Sequence, residues 1–262
     1  GDVARPDQTD SQRLRHGCLS FARSPGTDLS PNPPTHAGGP RPSRFRTLPY
    51  PTAGTGRSQR DMADHVHPDP RRAGEPAAFH DTAGVHQADT CDALRAAAAR
   101  GDVRLLALAR GAYPGARLPR RMLPRLCSVG RWEAPAPQAW GLDWHRNEGI
   151  ELTLLTAGRL DFAADGRRYR LAPGDLTLTR PWQPHRVGDP RVSRSTLHWL
   201  ILDVGVRRPK QAWTWPAWLT LSRQELGRIS GLLRASHAPV WRATPELTRC
   251  FTALTRLADE PA

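Results

Sequence analysis

The hydrophobic positions fall into three regimes along the chain. Up to residue 90 they follow neither a period of 2 nor one of 3.6, and Leu, Ile, Val and Phe together number ten, against twelve Pro and nine Gly. So little apolar surface cannot offset the entropy of ordering the chain, and residues 1–90 are expected to be disordered. From Cys91 the pattern turns helical: the Ala-rich residues 94–99 and the run 103–108 predict two short helices, interrupted at Gly101 and Gly111. Residues 114–140 are again Pro-rich, so 91–137 reads as short helices and an irregular linker, with Trp132 and Trp140 as anchors onto the next domain.

From Trp144 the pattern is that of strands. Residues 150–155 form a short strand ended by Gly158. Leu160, Phe162 and Ala164 then alternate with Arg159, Asp161 and Ala163 up to Asp165-Gly166, a hairpin signal. Residues 168–171 return, Pro173-Gly174-Asp175 turns again, and 176–179, 185–187 and the most apolar run, 195–204, complete the set. Short strands at close spacing with Gly and Pro turns predict a sandwich or barrel. The tail is helical. Ser222-Arg223-Gln224-Glu225 is a capping box, followed by a stripe of Leu226, Ile229, Leu232 and Leu233. Thr244 caps a second helix with Pro245 at its first position and a stripe of Leu247, Cys250, Phe251, Leu254 and Leu257. The two are expected to form an antiparallel pair, one face on the barrel and part of the other in a homodimer contact.

Composition changes this picture in few places. All nine Trp lie after residue 130, which marks the back of the chain as the foldable part. Of the net charge of +13, residues 91–262 carry twelve, yet the bases are scattered and Arg is not interleaved with exposed aromatics in the head. A solvated basic surface explains this better than a nucleic-acid binder. No apolar run reaches 18 residues and the first thirty residues lack a signal-peptide pattern, so neither a membrane span nor Sec export is expected. Cys18, Cys91, Cys127 and Cys250 are far apart with no C-x-x-C pair, as expected of reduced thiols in a cytoplasmic protein.

The chemistry-bearing candidates are His145, Glu148, Glu151, His185 and His198, which a small barrel could gather at its mouth. The nucleophile-elbow, Walker and H-E-x-x-H signatures are absent. His145 has no histidine two residues away on either side, where Asp143 and Asn147 stand, so a paired H-x-H is missing. His65 and His67 do form such a pair, but without a folded scaffold to fix it.

Residues 144–152 with Gly158 resemble the first motif of a cupin. Residues 169–176, then Pro181, Pro184 and His185-Arg186-Val187, resemble the second. Within cupins the chain is most similar, over about residues 138–258, to the N-terminal sensor domain of AraC-type transcription factors. That resemblance implies a mainly β fold: a small cupin-like jelly-roll (double-stranded β-helix) barrel, then the α-helix pair, behind a long disordered N-terminal region. It implies ligand sensing and homodimerisation rather than catalysis, with a small-molecule effector, a sugar among the candidates, bound by His145, Arg146, Glu151, Trp182 and His185. With H-x-H absent, no metal or other cofactor is expected. DNA would be contacted only through a helix-turn-helix part outside this sequence. The alternative is a metal-dependent cupin enzyme of dioxygenase or isomerase type, using His145, Glu151 and His185.

Overall fold

The computed structural model describes residues 75–119 and 121–256, and the disorder expected of residues 1–74 falls outside them. In chain order the elements are β1 (Ala78–Asp81), β2 (Gly84–Gln87), α1 (Asp92–Arg100), β3 (Arg104–Ala109), β4 (Ala116–Arg117) and β5 (Leu126–Ala134). Next come β6 (Leu142–His145), β7 (Ile150–Gly158), β8 (Leu160–Ala164), β9 (Arg167–Leu171), β10 (Asp175–Thr179), β11 (His185–Val187) and β12 (Ser195–Leu202). The tail holds α2 (Arg223–Ala235), β13 (Val240–Arg242) and α3 (Pro245–Arg256).

Two sheets build the barrel. The larger has the order β13-β10-β7-β12-β5-β3-β4, the smaller β6-β11-β8-β9. Pairing is antiparallel apart from the short β3–β4 contact. The inward positions of both sheets meet in one core: Trp132, Leu155, Leu197, Trp199 and Ile201 from the larger, Leu142, Phe162, Ala164, Leu171 and Val187 from the smaller. The turn read from Asp165-Gly166 is formed with positive φ at both residues, 50° and 74°, as a two-residue hairpin of primed type requires. The fold is therefore mainly β and a barrel, as the strand pattern implied, and of the cupin-like kind that the resemblance implied.

The outer face of the larger sheet is covered by α3, which lies on β5 and β12. Phe251 packs with Leu154 and Leu176, and Leu254 with Leu118, Leu126 and Val129. Phe251 is buried, a contribution of about 1.5–3 kcal/mol. The capping box of α2 and the Thr244 cap of α3 are both formed. The helices do not share one apolar seam, however. Leu233 of α2 packs on the cluster of Ile150, Trp182, Val204 and Val206, away from the α3 cluster, and residues 240–242 between the helices pair with β10 as an edge strand.

Three sequence expectations fail before residue 138. Residues 103–108, read as helix, contain the strand β3, because pairing with β5 outweighs the modest helix propensity of Leu and Ala. Residues 126–134, read as linker, form β5, a central strand buried on both faces and so without alternation. Gly130 in that strand faces Ala107 and the Leu106 carbonyl so closely that a Cβ would collide with the neighbouring backbone. Third, residues 75–90 are not featureless: β1 and β2 form a hairpin whose Phe79 stacks on Trp182, centroids 5.4 Å apart. Only the Ala-rich helix of the segment is found as expected, as α1, closed by Gly101 at φ 78°. Cys91, Cys127 and Cys250 are free thiols, while Cys18 lies outside the described residues, as do His65, His67 and Leu257. No described helix is long and apolar enough to cross a membrane.

Candidate functional site

His145 ends β6, Glu151 lies at the start of β7 and His185 opens β11. The sheet registers bring them together: His145 and His185 are cross-strand partners in the smaller sheet, and Glu151 reaches them from the larger. One ligating atom from each lies within 4.8 Å of the others. Glu151 and His185 are buried and His145 is half-buried.

The hydrogen bonds fix which atoms face inward. Nδ1 of His145 lies 2.6 Å from the carbonyl of Asp143, and Nδ1 of His185 lies 3.0 Å from that of Gln183. A carbonyl only accepts, so both Nδ1 atoms carry the proton and donate it. In the neutral rings Nε2 is then a lone pair. Glu151 Oε2 stands 2.8 Å from Nε2 of His185, yet that nitrogen makes no well-directed hydrogen bond. Asn147 Nδ2 donates to the same Oε2 at 2.8 Å. Two nitrogen lone pairs and a carboxylate oxygen thus converge, an arrangement stable only with a positive charge among them.

The electrostatics point the same way. Burial works against charge on His185, but Glu151 outweighs it and raises the ring's pKa. Burial would lift Glu151, but the His185 ring holds its carboxyl below the ordinary range. Burial and the neighbouring His185 push His145 down to about 4.

The cavity beside these groups measures about 30 Å³. Trp132, Leu142, Val187, Leu197, Trp199 and Ile201 give it apolar walls, and Ser128, Asn147 and Thr153 add polar points. On one side it is closed by Cys91, Leu94, Tyr113 and Pro114, all from the segment before β5. Burial, with Asp89 and Glu151 nearby, pushes the Cys91 thiol up, and burial with Glu148 does the same to the Tyr113 phenol, so both face the cavity neutral.

Of the five residues expected to bind ligand, His145, Glu151 and His185 come together and two do not. Arg146 turns to the Trp182 carbonyl at 2.9 Å, and Trp182 donates from Nε1 to the Val206 carbonyl at 2.7 Å while Phe79 covers its ring. Neither lines the cavity. They seat the β1–β2 hairpin, together with a backbone bond from Asp89 to Arg146. Of the other candidates, Glu148 is bound by Tyr113, and His198 lies on the outer face of the sheet, against α3. Trp199 lines the cavity, while Trp144 is half exposed. Asn147 and Tyr113 were not anticipated. Asn147 carries a signal, since it stands where the H-x-H pattern would have its second histidine, whereas nothing in the sequence marks Tyr113.

Residues 134–262 match the family model of the AraC-like ligand binding domain. No curated protein matches the chain. Among solved structures, a cupin superfamily protein from Desulfitobacterium hafniense is similar at 17% identity over 38% of this chain and 78% of that one, with a TM-score of 0.27. A DMSP lyase from Ruegeria pomeroyi is similar at 19% identity over 46% and 53%, TM-score 0.27. A cupin protein from Bacteroides fragilis is similar at 16% over 33% and 70%, TM-score 0.21. Likeness this slight carries no activity across.

Proposed function

We propose that the barrel is the effector-sensing part of an AraC-type transcriptional regulator, and that it holds its small-molecule effector at His145, Glu151 and His185 with the help of a divalent transition-metal ion. The observation that carries this is the convergence of three acceptor atoms beside a cavity that His145 and Glu151 line, including a His185 Nε2 without a hydrogen bond. Support for the sensor class is the family match over residues 134–262.

The missing H-x-H argued against a metal. The side chains present nonetheless fit one. Each histidine spends its Nδ1 proton on a backbone carbonyl and Glu151 accepts from Asn147, which are the supporting bonds that ligands to a metal require. A bound metal would supply a Lewis-acid point for an oxygen or nitrogen of the effector. The chain's own share is to hold three donors converged and to keep bulk water out with Trp132, Trp199 and Leu197. A cavity of about 30 Å³ suits an ion with water or a very small ligand. A six-membered ring needs space on the order of 150 Å³, so a sugar would enter only if walls moved.

In this reading the regulator works in the cytoplasm, contacts DNA through a helix-turn-helix part outside these residues, and dimerises through α2. That helix has no buried residue and exposes Leu232, whereas the apolar face of α3 is spent on the sheet.

The test is titration of the metal-stripped chain with zinc and cobalt. One ion per chain, lost in His185→Ala and weakened in Glu151→Gln, supports the site. No binding at roughly a hundred micromolar, an affinity weaker than about 5.5 kcal/mol, sinks it. A second reading, a metal-dependent enzyme, is favoured by one feature: three protein ligands leave coordination positions open, as catalytic sites do. Recovery of a bound small molecule unchanged supports the sensor, and its conversion supports the enzyme.

A further inference from the structure

Behind the three converging groups runs a buried chain of polar contacts. Tyr113 donates its hydroxyl to Glu148 Oε2 and lies 3.3 Å from Asn147 Oδ1. Asn147 Nδ2 donates to Glu151 Oε2 at 2.8 Å, and the Asn147 carbonyl accepts from the Trp182 amide at 2.8 Å. Tyr113, Asn147, Glu148 and Glu151 are all buried. Nitrogen toward the carboxylate is the amide orientation that gives Glu151 a donor, and it leaves Oδ1 beside the Tyr113 hydroxyl, whose single proton goes chiefly to Glu148. The Asn147 side chain is therefore held by its nitrogen on Glu151, with its oxygen seated against the Tyr113 hydroxyl.

We infer that Asn147 is the positioning residue of the site and Tyr113 its support, together holding Glu151 Oε2 against His185. Glu151 is a long side chain in a buried space, and without a donor on its flank its carboxylate has no reason to keep one rotamer. A histidine at 147 would offer another ligand. An asparagine offers a donor, with its side-chain oxygen seated beside the Tyr113 hydroxyl. Tyr113 lies in the loop after β3, outside residues 134–262, so the support of Asn147 comes from two parts of the chain and is not a feature of the matched region alone. Cys91, Leu94 and Pro114 wall the cavity from the same N-terminal segment, which ties the seating of that segment to the orientation of Glu151.

The experiment uses ring ¹⁵N shifts of the histidines in the metal-free chain, for wild type, Asn147→Ala and Tyr113→Phe. His185 is the reporter and His198, on the far face of the sheet, the control. The expected result is a displaced His185 Nε2 signal in both variants, larger for Asn147→Ala, with His198 unchanged. A His185 signal identical to wild type in either folded variant overturns the inference. Cobalt titration of the same three proteins gives the second readout: a loss of affinity of roughly tenfold or more is expected for Asn147→Ala, and unchanged affinity overturns it. The metal reading can fail separately: if wild type takes up no cobalt, that reading falls, while the histidine shifts still decide the positioning role.

Discussion

His145 and His185 face each other across the β6–β11 pair with ring centroids 4.0 Å apart. Each ring gives its Nδ1 proton to the carbonyl two residues earlier in the chain. Two rings this close cannot both be charged without cost. A metal that binds only the folded site stabilises the protein by mass action. Zinc at a hundred times its dissociation constant should add about 2.7 kcal/mol to unfolding free energy, and a chelator should remove that gain. Thermal unfolding with and without zinc measures it, and an equal gain in His185→Ala would show that the ion binds elsewhere.

His198 gives a pH dependence that the site does not enter. Thr255 Oγ1 donates to the Phe251 carbonyl at 3.0 Å and so accepts from Nδ1 of His198 at 3.1 Å. Nε2 lies 3.1 Å from Thr156 Oγ1, whose single proton is contested by the Thr196 carbonyl at 3.3 Å. Burial, helped by Arg131, lowers the pKa to about 4. The unfolded chain takes up this proton near 6.5. Stability from His198 is thus fully present above about pH 6.5 and is lost as pH falls from there to about 4. Urea midpoints at pH 7 and pH 5 should drop more in wild type than in His198→Gln, and parallel drops would refute the assignment.

The β1–β2 hairpin should contribute measurably to the fold. Phe79 stacks on the buried Trp182 ring. Its replacement by Ala loses part of that burial and the ring contact, roughly 1–3 kcal/mol. Denaturant unfolding of Phe79→Ala checks this, and stability equal to wild type would mean that the hairpin is not seated.

Dimerisation is expected to depend on Leu232, which is 70% exposed on α2, and not on Leu233 or Leu254, which pack within the chain. Leu232→Glu should give monomers with an unchanged barrel in sedimentation and circular dichroism. A wild-type chain that sediments as a monomer at high concentration would remove the proposed dimer.

By itself the sequence determined the barrel strands from residue 150 to 202, the Asp165-Gly166 turn and both tail helix caps, and it held His145, Glu151 and His185 among its candidates. Each of these rests on a local signal: alternation on a half-buried strand, a turn that needs positive φ, a capping side chain, or motif spacing. Tertiary structure alone decided the rest. β5 is buried on both faces and shows no alternation, and β3 is a strand because β5 lies beside it. Phe79 is an isolated aromatic in a Pro- and Gly-rich stretch until Trp182 covers it. Arg146 and Trp182 sit beside the cupin motifs in sequence, yet strand alternation and the hairpin turn them away from the cavity. Tyr113 reaches Asn147 over 34 positions of sequence, a contact that no local pattern encodes because it exists only once two separate segments close on the same cavity.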